Sequence, residues 1–120
     1  MSDNVTDRRQ FHRFPIQAQA KIFTSDKIWD AEVIDISLKG VLLEKPVDWI
    51  IKDNKSYRLE VILEGETRIG MNITVARVKG DHIACKCERI DFESFTKLKR
   101  LVELNLGDSQ LLNRELSALG

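Results

Sequence analysis

The chain has 120 residues and a 42% hydrophobic fraction, enough to bury one core and too apolar for a disordered segment. Its 19 basic and 19 acidic side chains cancel, so no overall field draws it to DNA or to an anionic membrane. Any anion it binds must be held by a local arrangement of charge.

The first seven residues are polar, acidic and without periodicity, which predicts a mobile tail and gives no signal-peptide character. No apolar run reaches membrane-spanning length, so the plain expectation is a cytoplasmic protein. A basic patch follows: Arg8, Arg9, His12 and Arg13, with Phe11 and Phe14 interleaved. Pro15 then starts an extended segment. From Ile16, the apolar residues Ile16, Ala18, Ala20 and Ile22 alternate with Gln17, Gln19 and Lys21, the period of a half-buried strand. Thr24 to Lys27 supply turn residues, and Ile28 to Ile36 resume a β-branched, extended pattern. Asp35-Ile36-Ser37-Leu38-Lys39-Gly40 brings turn chemistry, and Val41 to Leu43 continue as a third strand.

Pro46 to Ser56 reads as a loop whose Trp49-Ile50-Ile51 tucks against the body of the protein. Tyr57, Leu59, Val61 and Leu63 share the face of a fourth strand. Glu64-Gly65-Glu66 turns into a fifth, where Ile69, Met71, Ile73 and Val75 share a parity. Lys79-Gly80-Asp81 turns again into a sixth strand, with Ile83, Cys85 and Cys87 inward. The two cysteines read as small core residues, because an i, i+2 bridge is strained and a metal would lack further ligands. Six short strands joined by tight turns predict an antiparallel β-barrel, which hides its edges.

The period then changes. Phe95, Leu98, Leu101, Val102 and Leu106 recur at helical spacing, with Asp91 or Ser94 as cap and Gly107 as stop. Asp108 caps a second, shorter helix with Leu111, Leu112, Leu116 and Leu119 on its apolar side. The expected organisation is a flexible arm over 1–15, a barrel over 16–90 and helices over 91–120 packed on the barrel. The last helix is the better candidate for a partner surface, being terminal and short.

Catalytic machinery is not visible: there is no Gly-x-Ser-x-Gly elbow, no Walker loop and no His-Glu-x-x-His pair. The chain therefore reads as a non-enzyme. The arginines are more informative, since a guanidinium fork donates paired hydrogen bonds to phosphate and its plane stacks on a purine. Taken alone, such an arm is equally a solvated basic segment. Asp35 and Ser37 can face one side of a strand end, where a carboxylate accepts from the N–H groups of a guanine edge. Gly40 permits a tight turn or the close approach of a ligand. The other reading of these three residues is a side-chain turn closing a hairpin.

Together, Arg8-Arg9-Gln10-Phe11-His12-Arg13 and Asp35-Ile36-Ser37-Leu38-Lys39-Gly40 resemble the two signature motifs of the PilZ domain family, in its order and at a fitting separation. The six-strand pattern is similar to that family's barrel, and the two C-terminal helices resemble its stand-alone subtype. The resemblance implies a ligand, the bacterial second messenger cyclic di-GMP, and a role as a receptor that changes conformation and signals to a protein partner. It implies that Arg9 and Arg13 bind phosphate and guanine, that Asp35 and Ser37 read a guanine edge, and that Gly40 keeps the turn open beneath the ligand. Arg8, directly before the first motif arginine, implies two ligand molecules per chain. Arg77 continues the parity of an apolar face, so a bulge re-aims it, the strand has ended, or it reaches the ligand. Two rival readings are a ligand-independent protein-interaction module and a small barrel binding single-stranded nucleic acid through the arm and its phenylalanines. Charge neutrality argues against the second, and the reading carries neither nucleic acid nor membrane as a partner.

Overall fold

The computed structural model describes residues 11–52 and 55–119. Six strands, β1 (Phe14–Phe23), β2 (Ile28–Ile36), β3 (Gly40–Glu44), β4 (Ser56–Ile62), β5 (Arg68–Lys79) and β6 (His82–Ile90), are followed by helices α1 (Phe92–Leu106) and α2 (Ser109–Leu119). The strands close into a barrel in the order β1-β2-β3-β6-β5-β4, every neighbouring pair antiparallel and β4 returning to β1. Closure gives every barrel strand a paired neighbour on both sides.

The alternation seen in the sequence fills the interior. Ile22, Leu43, Leu59, Ile69, Met71, Ile73 and Ile83 are completely buried. Each such side chain contributes about 1.5–3 kcal/mol on leaving water. β1 begins at Phe14, ahead of the visible alternation at Ile16, because buried Phe14 pairs with Ile36 across the barrel wall. Thr24 closes the first hairpin, its backbone N–H and its hydroxyl both donating to the Lys27 carbonyl. The β4–β5 turn needs Gly65 at φ +71° and carries Glu66 at φ +62° directly after it.

Both helices start where an aspartate side chain serves the free backbone N–H groups. Asp91 caps α1 by accepting the Ser94 N–H at 3.0 Å. Gly107, at φ +66°, stops it with an N–H donated to the Glu103 carbonyl. Leu98 and Val102 face the core, and the buried Ser94 hydroxyl accepts the Gly70 N–H of β5 at 2.9 Å. Asp108 caps α2 through the N–H groups of Gln110 and Leu111. The expected leucine side of α2 is only partly realised: Leu112 is buried and Leu111 is exposed, while Glu115, one turn on from Leu112, is just 6% exposed. The Trp49-Ile50-Ile51 expectation is corrected in the same way. Trp49 is buried edge-on to Tyr57, with ring centroids 5.1 Å apart, but Ile50 stands 78% exposed.

Candidate functional site

Two bulges decide which side chains leave the core. β2 pairs Val33 with Leu43 but Asp35 with Leu42, so Ile34 is an extra residue. A regular strand placing Ala31 and Val33 inward would also bury Asp35. The bulge reverses the parity, keeps Ile36 in the core and turns Asp35 to the outer face. β5 does the same: Val75 pairs with Cys85 but Arg77 with Ala84, leaving Ala76 as the extra residue. Arg77 is thereby re-aimed outward and exposed. Directly opposed residues share a face, so Asp35, Leu42, Ala84 and Arg77 form one row across four strands.

A cleft of about 280 Å³ lies on this outer face. Arg13, Asp35, Ser37 and Gly40 all line it, joined by Lys39, Lys86 and a floor that includes Ala76 and Ala84. Four of the expected site residues, far apart in sequence, thus converge. Arg77 is on the same face beside Ala84 but not in the cleft lining, about 14 Å from Asp35 at three strand spacings. Arg8 and Arg9 lie outside the described residues.

Each converging residue has a distinct local environment. Asp35 Oδ1 is buried and has no hydrogen-bond partner among the described residues. A buried acceptor left unmet costs about 1–3 kcal/mol, so the position calls for a donor. Ser37 is buried in the β2–β3 turn. Its N–H donates to the Gly40 carbonyl at 2.9 Å, and its Oγ accepts the Lys39 N–H at 3.1 Å. The hydroxyl's own contact to the Gly40 carbonyl is long, at 3.5 Å, which leaves its proton available. The hairpin-turn reading of this motif therefore holds for Ser37, alongside its place in the cleft. Gly40 pairs with Lys86, and a Cβ there would collide with the Cys85 carbonyl. Arg13 is exposed, while the Lys39 ammonium sits 5.9 Å from the Phe11 ring centroid, joining the arm to the turn.

The sequence reading missed Lys39, Lys86 and the alanine floor. Ala84 and Lys86 were readable as outward positions of β6, but it took the register against β3 to place them beside Gly40 and Leu42. One contact joins the two ends of the chain: the His12 N–H, between cleft and arm, donates to Glu115 Oε2 of α2 at 2.8 Å. Beneath the cleft, burial pushes the Cys85 thiol up to about 12, consistent with a packing role. Among the described residues there is no cluster of His, Cys, Asp and Glu able to hold a metal ion, and no helix long and apolar enough to cross a membrane.

Solved structures share the fold, among them the following three. The Bacillus subtilis inhibitor of motility MotI/DgrA superposes with a TM-score of 0.71 at 17% identity, over 82% of this chain and 51% of that one. The PilZ domain of CeSA from a cellulose-synthesizing bacterium gives 0.63 at 14%, over 81% and 99%. MrkH, a c-di-GMP-dependent transcription regulatory factor, gives 0.65 at 15%, over 84% and 52%. The chain thus spans about half the length of the first and third of these proteins. A family model described as the PilZ domain matches residues 7–104, which takes in both motifs and all six strands. This chain belongs to the PilZ domain family.

Proposed function

We propose that the chain is a cyclic di-GMP receptor that passes the state of its ligand site to a protein partner. The observation that carries this reading is the cleft lined by both Arg13 and Asp35, whose buried Oδ1 has no partner among the described residues, in a chain of this family. Cyclic di-GMP offers what these groups lack. Its phosphates take guanidinium forks, and its guanine edges bring N–H donors to a carboxylate. The floor of Gly40, Ala76 and Ala84 leaves room for a flat purine against the sheet. MrkH, described as c-di-GMP-dependent, and MotI, described as an inhibitor of motility, are relatives in fold that act as regulators.

In this reading Arg9 and Arg13 bind phosphate and stack on guanine, while Asp35 and Ser37 read a guanine edge. Arg8 admits a second ligand molecule, giving two per chain. Arg77 extends the cationic side of the face, within reach of a second stacked base. Ligand clamps the arm across the outer face, an order–disorder switch. The His12–Glu115 contact offers a route by which that movement reaches α2.

Isothermal titration calorimetry of the full chain with cyclic di-GMP is the test. Binding with about two ligands per chain is expected. Arg13→Ala and Asp35→Ala each remove a charge-assisted hydrogen bond, about 1.5–3 kcal/mol, and should weaken binding at least about tenfold. A ratio near one would remove Arg8's role and keep the receptor. Absence of heat would leave a ligand-independent interaction module.

A further inference from the structure

The outer-face cleft holds more positive charge than its two motif arms supply. Its charged lining residues are Arg13, Lys39 and Lys86 against one carboxylate, Asp35. Lys39 stands directly before Gly40, and Lys86 pairs with Gly40 across β3 and β6, so the two lysines flank a position without a side chain. Their backbones are tied together, because the Cys87 N–H donates to the Lys39 carbonyl at 2.8 Å. Burial, and after it the Glu88 carboxylate, push the Cys87 thiol up, and the Lys39 charge works against them from beside β6. On the neighbouring strand, Arg77 opposes Ala84, two residues from Lys86. Arg77 and Lys86 are therefore diagonal neighbours, about 7–8 Å apart on the same face.

The acids nearby do not neutralise this bank. Glu88 lies two residues along β6 from Lys86, and its Oε2 already accepts the Thr74 hydroxyl at 2.8 Å. Among the described residues, none of Lys39, Lys86 and Arg77 has a carboxylate within ion-pair distance. A lone lysine on an open surface is satisfied by water. Here like charges share one concave lining with apolar Val41, Leu42, Ala76 and Ala84, which focuses their field on whatever enters. Asp35, set on β2, asks instead for an N–H donor at its buried Oδ1. An anionic backbone carrying a base with N–H groups meets both demands at once.

We propose that Lys39 and Lys86, which belong to neither motif's ligand-reading residues, are phosphate contacts of this cleft. The inference rests on the receptor reading and adds to it two residues that fix the phosphate edge of the nucleotide opposite Asp35.

The test is calorimetric titration of the full chain with cyclic di-GMP at about 50 mM and about 500 mM salt, where screening differs strongly. Combining Lys39→Gln with Lys86→Gln should weaken binding by about tenfold or more at low salt, with the gap to the wild type narrowing at high salt. Both positions are exposed, so the unfolding midpoint without ligand should stay where it is. Lys39→Arg with Lys86→Arg keeps the charges and should retain binding. Lys97→Gln makes the same change of charge on α1, where the ammonium reaches the Arg68 carbonyl, eight positions before Ala76 on β5; it should bind as the wild type does. At saturation, the ³¹P resonances of the bound nucleotide should differ between the wild type and the double Gln variant. A wild type that does not bind would sink the receptor reading and this inference with it. A wild type that binds, beside a double Gln variant of equal affinity or with unmoved ³¹P resonances, would keep the receptor and overturn the role of the lysines. An equal loss in Lys97→Gln would assign the effect to net charge and overturn it as well.

Discussion

A methyl group at position 40 would run into the backbone carbonyl of Cys85, because β6 passes directly beside Gly40 where it pairs with Lys86. The glycine of the second motif thus has a packing reason that is present without any ligand. Gly40→Ala forces β3 and β6 apart, an overpacking cost of about 1–3 kcal/mol. At about 4 °C per kcal/mol for a chain of this size, the thermal unfolding midpoint of the ligand-free protein should fall by several degrees. Calorimetry without nucleotide isolates this effect, and an unchanged midpoint would mean that the position serves the ligand alone. Asp35 presents the opposite case. No described residue meets its buried Oδ1, so its fit to this environment points outward, to a donor brought by arm or ligand.

At the scale of elements, α1 depends on one carboxylate. The Ser94 N–H, and after it the Ser94 hydroxyl, hold the Asp91 carboxyl below its usual range. A depressed folded pKa adds stability above the unfolded pKa, and that contribution is lost as pH falls through the folded one. The loss therefore belongs below about pH 4. Asp91→Asn keeps an acceptor for the cap but cannot titrate. Its acid unfolding curve, followed by helical circular dichroism, should lose the part of the slope that Asp91 supplies; superimposable curves would assign that slope to other carboxylates.

The cap, the Gly107 stop and, to within one residue, five of the six strand starts were legible, because each rests on a local rule of periodicity or turn chemistry. The bulge at Ile34 was not, since an inserted residue looks like any other until the partner strand is known. The parity of Arg77 did offer a bulge as one of its three explanations, and the register shift at Ala76 is the one found. Ile50 and Glu115 defeated the reading for a related reason: an apolar residue predicts burial and a charged one exposure, and both expectations fail at surfaces shaped by distant segments. Of the site, residue types and order were readable, and the row joining Asp35, Leu42, Ala84 and Arg77 was not.

On the scale of the whole molecule, the bond from the His12 N–H to Glu115 ties residues 103 positions apart, so the arm that carries Arg13 and the terminal helix move as one or must separate. If ligand draws the arm over the outer face, breaking this bond is part of the cost of binding. A hydrogen bond to a charged group contributes about 1.5–3 kcal/mol. Releasing it beforehand should tighten cyclic di-GMP binding by at most about ten- to a hundredfold. Glu115→Ala should therefore bind the nucleotide more tightly than the wild type, with Glu115→Gln between them because a neutral acceptor makes a weaker bond. Calorimetry on the three proteins reads this directly, and amide exchange along α2 should rise in the same order. Weaker binding by Glu115→Ala would place the contact in the liganded conformation instead, with α2 as part of the clamp. Equal affinities would mean that the bond persists in both states, and the signal to a partner would then have to leave from the outer face of the barrel.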